Sequence, residues 1–265
     1  MTAQPDTTDI IRHIARTFVD ARRRGAAVPE FPGPVPVTLD EGYAVQDAAL
    51  LLADGTVAGW KVGRINPPLD GVDRLSGPIF DDQVVAATET PVAMPVFADG
   101  FAAAEAEFLL RLGTAPDPAK THYTLAEARA MIDAVHVGIE IASSPFPGIN
   151  ALGPTVTVSD FGNNNGLVIG ADALGWRDGD INTWPVELLI NDERIGAATT
   201  ATMLDGPFGA VRYLLEHMAA RGIALSSGQW ISTGAVTGVH PVAIGDRVEA
   251  RFDGRFAVQC TIKAR

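Results

Sequence analysis

The chain has 265 residues, of which 47% are hydrophobic and 20% are charged, and it carries a net charge of −12. This composition is typical of a globular protein and excludes a disordered or fibrous one. The excess of acidic residues argues against nucleic acid and anionic membrane surfaces as partners. We therefore expect a small-molecule partner. If that partner is an anion, a metal ion or well-placed basic residues must supply local positive charge.

The N-terminus and the cysteine content bear on the cellular compartment. The first ten residues, MTAQPDTTDI, contain no basic region followed by an apolar run, and no stretch of about 18 apolar residues follows elsewhere. Cys260 is the one cysteine of the chain, so no intrachain disulfide is possible. Its alternating apolar surroundings favour a buried small hydrophobic residue over a nucleophile. These features predict a cytoplasmic protein.

Four segments have the periodicity and end signals of helices. The first covers about residues 7–24 and closes on Arg22, Arg23 and Arg24, which we expect to be solvated and to compensate the helix dipole. A proline-rich linker follows. The other three predicted helices run from the Thr38 cap to near Gly55, from the Thr124 capping box through Val135, and over Pro207–Arg221.

The rest of the chain has the character of strands. The clearest strand-like runs are VAGWKVG, AEAEFLLRL, VGIEIA, GLVIG and VELLIND. Near the C-terminus, two alternating segments flank Asp253-Gly254 and predict a hairpin. Because strands and helices do not alternate one for one, we predict an α+β fold with a mixed, mainly antiparallel sheet and outer helices. We expect a single catalytic domain over residues 1–265, with an N-terminal helical layer (1–55) and a β core (56–265).

Three glutamates form the first candidate site. In AAAEAEFLLRL, the two-residue period of a strand places Glu105 and Glu107 on one face, about 7 Å apart along the strand. Glu140 lies in another apolar run, HVGIEIASS, where a buried carboxylate would need a partner. Two interpretations of the three glutamates remain open: they face solvent from their strands, or they share a bound cation. If a cation binds, oxygen ligands without His or Cys favour Mg²⁺, Mn²⁺ or Ca²⁺ over Zn²⁺.

Further candidates lie in short motifs. Lys61 stands between the glycines of GWKVG, where it either points into a pocket and neutralises substrate charge or faces outward from a strand. Asp82, in GPIFDDQVV, either positions a water molecule or ends a turn. The asparagines of SDFGNNNGLVIG suit amide contacts or left-handed turns. His136 and His240 lack metal-pair spacing, so we interpret both as structural.

Taken together and in this order, six blocks resemble one known family. They are GWKVG, IFDDQ, E-A-E, G-I-E-I, SDFGNNNGLVIG and STGAVTGVHPVAIGDRVEARFDG. The resemblance is to the 2-keto-4-pentenoate hydratase and 4-oxalocrotonate decarboxylase group of the fumarylacetoacetate hydrolase superfamily. It covers roughly residues 40 to 262.

This resemblance implies both a fold and a chemistry. It implies the mixed β-roll of that superfamily and a homo-oligomer. It implies Mg²⁺ or Mn²⁺ held by Glu105, Glu107 and Glu140, with Lys61 as the pocket lysine and Asp82 as the second acid of an L-D-D-M block. The implied activity is a metal-dependent hydratase of a 2-hydroxy-2,4-dienoate or 2-oxo-4-enoate in aromatic compound catabolism, acting through a stabilised enolate.

Alternatives to the hydratase remain, and departures from the family pattern bear on them. A 4-oxalocrotonate-type decarboxylase comes second, followed by a carbon–carbon bond hydrolase and a non-catalytic binding or scaffold subunit. Gln83 stands where the family has methionine, and Asp160-Phe161-Gly162-Asn163 replaces D-N-x-S. Glu140 is followed by Ile141-Ala142-Ser143-Ser144-Pro145, without the usual aspartate and arginine. These departures concern substrate identity more than the metal site.

Overall fold

The structure, a computed structural model, describes residues 6–265. Its helices are α1 (Thr7–Arg24), α2 (Leu39–Leu50), α3 (Leu125–Ala130), α4 (Pro154–Ser159) and α5 (Gly206–Ala220). The first nine strands are β1 (Val57–Leu69), β2 (Val72–Phe80), β3 (Val84–Ala86), β4 (Val92–Val96), β5 (Phe101–Leu112), β6 (Ile132–Ser144), β7 (Asn164–Asp172), β8 (Val186–Ile190) and β9 (Glu193–Ala198). The last four are β10 (Trp230–Ser232), β11 (His240–Pro241), β12 (Arg247–Phe252) and β13 (Phe256–Ala264).

The strands form two mixed sheets. The larger has the order β2-β1-β10-β5-β6-β7-β3, with β11 added beside β5, and the smaller has the order β4-β13-β12-β8-β9. Within residues 6–265 the parallel pairings are β1 with β10, β3 with β7 and β4 with β13, while the other pairings are antiparallel. The predicted α+β class with a mainly antiparallel sheet is therefore confirmed. At the C-terminal hairpin, Asp253 and Gly254 both have positive φ, as the predicted turn requires.

Two apolar clusters hold the elements together. The main core lies between the sheets and includes one side of α5, with Phe108, Phe252 and Leu214 fully buried. A second cluster packs α1 and α2 against residues such as Phe146 and Phe161. Helices α1 and α2 thus cover the outer side of the large sheet, whereas α5 belongs to the main core. None of the helices among residues 6–265 is long and apolar enough to span a membrane.

Helices α1 and α5 confirm the predictions, and α2 begins after its Thr38 cap as predicted but ends at Leu50, before the predicted end near Gly55. The third predicted helix was also wrong at its C-terminal end. The Thr124–Glu127 capping box forms as expected, yet α3 stops at Ala130. The residues that follow, from Ile132 onward, enter β6 and pair with β5. The pairing buries Val135, Val137 and Ile139 in the main core, a gain that outweighs the local helix signal.

The three arginines at the end of α1 do not behave alike, and for Arg22 the prediction of a solvated side chain was wrong. Arg22 is only 6% exposed, and its guanidinium donates to both carboxylate oxygens of Asp160 at 2.6 and 2.9 Å. It also donates to the backbone carbonyl of Asn164. Arg22 is buried because the packing of α1 on the 160–165 segment places it over Asp160. Ser144 donates a further hydrogen bond to the same carboxylate.

This buried ion pair leads to a stability prediction. Replacing Arg22 with Met leaves the Asp160 carboxylate buried without its cation, so the free energy of unfolding should fall by about 3–5 kcal/mol in denaturant titrations. Arg24→Met is the matched control, since Arg24 is exposed on the same turn and should change stability by no more than about 0.5 kcal/mol. Equal effects of the two substitutions would contradict a structural role for the pair.

Candidate metal centre and adjoining cavity

The three candidate glutamates converge on the outer face of the large sheet. Strands β5 and β6 are antiparallel neighbours, and their register places Glu105 directly opposite Glu140. Glu107 lies two residues further along β5 and points to the same face. One carboxylate oxygen from each glutamate lies within 4.8 Å of the others. All three side chains are buried, so the interpretation as a solvated strand face is wrong.

Two neighbouring elements orient these carboxylates. Ser232, at the end of β10, donates through Oγ to Glu107 Oε2 and lies 3.2 Å from Glu140 Oε2. The backbone N–H of Gly234 donates to Glu107 Oε2 at 3.0 Å. From the first residue of β7, the Asn164 side-chain amide donates to Glu140 Oε1 at 2.8 Å. These bonds hold two of the three side chains in fixed positions.

Lys61 supplies the one basic group in contact with the cluster among the described residues. Its Nζ lies 3.2 Å from Glu140 Oε1, and the residue is only 6% exposed. Lys61 reaches this position because its Cα is paired with Ser232 in the parallel β1–β10 register. With every group ionised, three carboxylates against one ammonium leave two negative charges in a buried site. That imbalance is what a divalent cation would cancel.

The pKa values reflect the same imbalance. Burial, opposed by Lys61 and reinforced by Glu140, raises the pKa of Glu105 to about 7. Burial, together with the charges of Glu140 and Glu105, raises the pKa of Glu107 well above its usual range. Burial alone would lower the pKa of Lys61, but attraction to the three carboxylates outweighs it and raises that pKa. The ammonium therefore stays protonated at neutral pH, and two of the carboxylates resist ionisation.

The donor set fits a divalent metal ion. Glu107 Oε1 is buried and has no hydrogen-bond partner within the described part of the chain, so one ligand oxygen is free for another contact. Carboxylate oxygens bound to one ion at 2.0–2.6 Å lie at most about 5 Å apart, which agrees with the observed spacing. Hard oxygen ligands match Mg²⁺ or Mn²⁺. Glu105, Glu107 and Glu140 are thus the residues that could hold the ion.

A cavity of about 940 Å³ opens beside the cluster. Lys61 and Glu105 lie on its wall, which continues along β1 and over the 233–239 loop. Two buried polar atoms of the wall, Asn163 Oδ1 and Thr237 Oγ1, have no hydrogen-bond partner among residues 6–265. Unpartnered polar atoms in a cavity are available to a bound ligand.

Asp82 is not brought to this site. It is exposed in a short 3₁₀ turn (Asp81–Gln83) after β2 and is not among the residues that line the cavity. The turn interpretation of IFDDQ therefore describes the structure, and the geometry of the chain argues against a catalytic Asp82. The ionisable side chains on the described cavity wall are Lys61, Arg64, Arg74 and Glu105.

One orienting residue, Ser232, was missed from the sequence although it lies in a motif block, whereas Asn164 was expected only as one of three asparagines suited to amide contacts or turns. In the asparagine cluster, Asn163 adopts a left-handed conformation with φ of 65°, while Asn164 makes an amide contact, so both expected roles occur. His136 and His240 each bond a backbone carbonyl, at 2.8 and 2.9 Å, as expected of structural histidines. A serine or asparagine alone carries too little signal to be assigned to a particular carboxylate, which lies 24 residues away for Asn164 and 92 or 125 residues away for Ser232.

Comparison with known proteins identifies similar chains. No family profile matches the sequence. The 2-keto-4-pentenoate hydratase 1 of Dechloromonas aromatica (strain RCB) is 28% identical over 222 residues, covering 81% of this chain and 82% of that protein. The structure of 4-oxalocrotonate decarboxylase from Pseudomonas putida G7, complexed with magnesium and adipate, superposes with a TM-score of 0.80 at 21% identity, covering 98% and 99% of the two chains.

A third similar protein is more distant. Fumarylpyruvate hydrolase from Pseudomonas aeruginosa, in complex with Mn²⁺ and pyruvate, gives a TM-score of 0.58 at 17% identity over 78% of this chain and 89% of that one. The architecture is therefore the fold of the fumarylacetoacetate hydrolase superfamily. In sequence the chain is similar to 2-keto-4-pentenoate hydratases, and in fold to 4-oxalocrotonate decarboxylase, the two activities of the group that its motif blocks resemble.

Proposed function

We propose that this protein is a divalent-metal-dependent hydratase that adds water to a 2-hydroxy-2,4-dienoate or its 2-oxo-4-enoate tautomer. The observation that carries the proposal is the buried convergence of Glu105, Glu107 and Glu140 beside Lys61 at the wall of a large cavity. Hydratases of this type recur among the relatives that match most of the chain. We further propose that residues 1–265 form one catalytic domain and that the chain assembles as a homo-oligomer.

The metal site would consist of the three glutamates. The bound Mg²⁺ or Mn²⁺ would supply electrostatic stabilisation of the negative charge that develops on the 2-oxo oxygen as the substrate becomes an enolate. Solved structures with this fold were obtained with magnesium, calcium or Mn²⁺, which supports a divalent ion without selecting one.

The residues of this chain would have distinct roles. Ser232 and Asn164 orient Glu107 and Glu140, so that the carboxylates do not need to reorganise when a ligand binds. Lys61 places a permanent positive charge on the cavity wall, suited to donate a hydrogen bond to an anionic substrate oxygen. With Asp82 outside the cavity and Lys61 held protonated, proton transfer would fall to Glu105 or to ordered water.

A decarboxylase is the second candidate, because the same enolate stabilisation serves loss of carbon dioxide and the decarboxylase structure overlays nearly the whole chain. The two reactions differ in product. Hydration of a 2-oxo-4-enoate yields a 4-hydroxy-2-oxo acid and retains every carbon, whereas decarboxylation releases one carbon as carbon dioxide.

The test is a panel of 2-hydroxy-2,4-dienoates and six-carbon 2-oxo-enedioates, followed by loss of ultraviolet absorbance and by product analysis. We expect turnover with Mg²⁺ or Mn²⁺, none after chelation, and a hydrated product. Carbon dioxide release in place of hydration would assign the decarboxylase instead. The absence of turnover on the whole panel by metal-loaded protein would overturn the enzymatic assignment in favour of a binding subunit.

A further inference from the structure

A strained turn lies between α4 and β7, beside the glutamate cluster. It consists of Phe161, Gly162 and Asn163, which all adopt left-handed conformations with φ of 53°, 65° and 65°. A left-handed conformation is rare for a residue as bulky as phenylalanine, and it persists only where the surrounding structure holds it. The contacts that hold this turn therefore determine where the neighbouring side chains lie.

Arg22 of α1 makes contacts before, within and after this turn. Before the turn, its guanidinium donates to both carboxylate oxygens of Asp160, at 2.6 and 2.9 Å. Within the turn, the guanidinium carbon lies 5.3 Å from the centre of the Phe161 ring. After the turn, Nη1 donates to the backbone carbonyl of Asn164 at 3.2 Å. One side chain from the N-terminal helix thus holds both ends of the turn.

The turn in its place bears on both groups that meet Glu140 Oε1. Gly162 packs so closely on the Lys61 side chain that a Cβ atom at position 162 would lie 3.2 Å from Lys61 Cδ. Asn164 donates through Nδ2 to Glu140 Oε1 at 2.8 Å, and Lys61 Nζ lies 3.2 Å from the same oxygen. A shift of the turn would therefore move the amide and the ammonium group away from Glu140 together.

Stability alone does not account for the ion pair that holds the turn. Arg22 and Asp160 are both buried, and replacing a buried ion pair with apolar residues of similar volume is often neutral or stabilising. A buried pair can instead select one conformation of the chain. Residues that orient metal ligands from outside the ligand set typically change metal affinity by about tenfold to a hundredfold when they are lost.

Resting on the proposed function, we infer that Arg22 is a positioning residue for the metal centre. Its guanidinium holds the 161–163 turn, and the turn places Asn164 and Lys61. These two residues fix the Glu140 carboxylate in the orientation that a divalent ion requires. Helix α1 therefore supports the metal centre, although none of residues 7–24 lines the cavity.

Metal affinity tests this inference without an activity assay. Arg22→Lys keeps the positive charge but loses the planar fork that joins Asp160 to Asn164, so Mn²⁺ binding to the folded protein, measured by calorimetry, should weaken by about tenfold to a hundredfold. Ile14→Ala is the matched control, because Ile14 is buried on the same helix and its truncation destabilises the packing of α1 without removing a polar contact. The control should keep the wild-type affinity. An equal loss in the two variants, or no loss in Arg22→Lys, would overturn the inference.

A double-mutant cycle tests the route through the turn. Asn164→Ala removes the amide bond to Glu140 and should itself weaken Mn²⁺ binding. Adding Arg22→Lys to it should cost much less affinity than Arg22→Lys costs in the wild-type protein, because the two changes break one chain of contacts. Fully additive effects would reject this route.

A second variant covers the case in which Arg22→Lys does not fold. Ser144→Ala removes the hydroxyl that donates to Asp160 at 2.6 Å, so it loosens the same carboxylate while Arg22 stays in place. It should weaken Mn²⁺ binding relative to Ile14→Ala. An unchanged affinity in folded Ser144→Ala protein would overturn the inference.

Turnover of a dienoate separates the positioning role from the proposed function. Arg22-dependent Mn²⁺ binding by a protein that turns over no dienoate would reject the hydratase and keep the positioning role. Turnover by a protein whose Mn²⁺ affinity does not depend on Arg22 would keep the hydratase and reject the positioning role.

Discussion

Glu107→Gln should lose metal-dependent turnover at pH 8 and should lose the increase in melting temperature that we expect Mg²⁺ or Mn²⁺ to give the wild-type protein. The substitution keeps the side-chain volume but removes one anionic ligand oxygen, and Glu107 Oε1 is the atom with no protein partner in the described chain. Because an ion that binds the folded state alone must stabilise it, thermal denaturation with and without metal reports binding without an activity assay.

The same substitution should leave the metal-free protein at least as stable as the wild type. The pKa of Glu107 is raised by burial and by Glu140 and Glu105, so its neutral form is the favoured one in the apo fold, and glutamine is neutral at every pH. For Glu105, with a folded pKa raised to about 7, the neutral form contributes stability fully below the unfolded pKa. That contribution is lost as pH rises through about 7. Apo wild-type protein should therefore weaken as the pH rises from about 4.5 to about 7, and metal added at neutral pH should restore its stability.

Glu193→Gln is the control for these measurements, because Glu193 is exposed on β9, away from the cluster. It should keep both the metal-induced melting shift and the turnover. Glu105→Gln should behave as Glu107→Gln does. Wild-type metal stabilisation and activity in both cluster variants would reject the proposed metal centre.

Lys61→Met should lower kcat by about a hundredfold or more at saturating Mn²⁺, while substrate affinity, measured separately, changes much less. This is the scale expected when one preorganised group that stabilises charge in the transition state is removed. The substitution retains most of the aliphatic length of a side chain that is buried between β1 and the cluster. If Lys61 binds the substrate equally in ground and transition states, KM should rise with kcat nearly constant.

A purely electrostatic role toward the glutamates would give a different result. Lys61 lies 3.2 Å from Glu140, so its loss would increase the negative charge of the cluster and tighten metal binding without slowing turnover. Metal affinity measured beside kcat distinguishes these cases. Lys263→Met is the control, since Lys263 is exposed near the end of β13 and should change neither quantity. An unchanged kcat in Lys61→Met would remove this residue from the chemical step.

Short-range features of the sequence determined much of the fold. The two-residue period of a strand was enough to place Glu105 and Glu107 on one face, and the capping and turn residues marked where α2, α5 and the last hairpin begin or end. These signals are reliable because they depend on a few neighbouring residues and on backbone geometry. The ordered blocks of motifs added the family resemblance and, through it, the fold type.

Contacts between distant parts of the chain decided the rest. The β5–β6 register, which places Glu140 opposite Glu105, is set by burial of both strands in the main core and not by either sequence alone. Tertiary packing also buried Arg22 over Asp160 and left Asp82 in an exposed turn. Each of these outcomes depends on which part of the folded chain a side chain contacts. Local periodicity carries no information about a contact with a residue a hundred positions away.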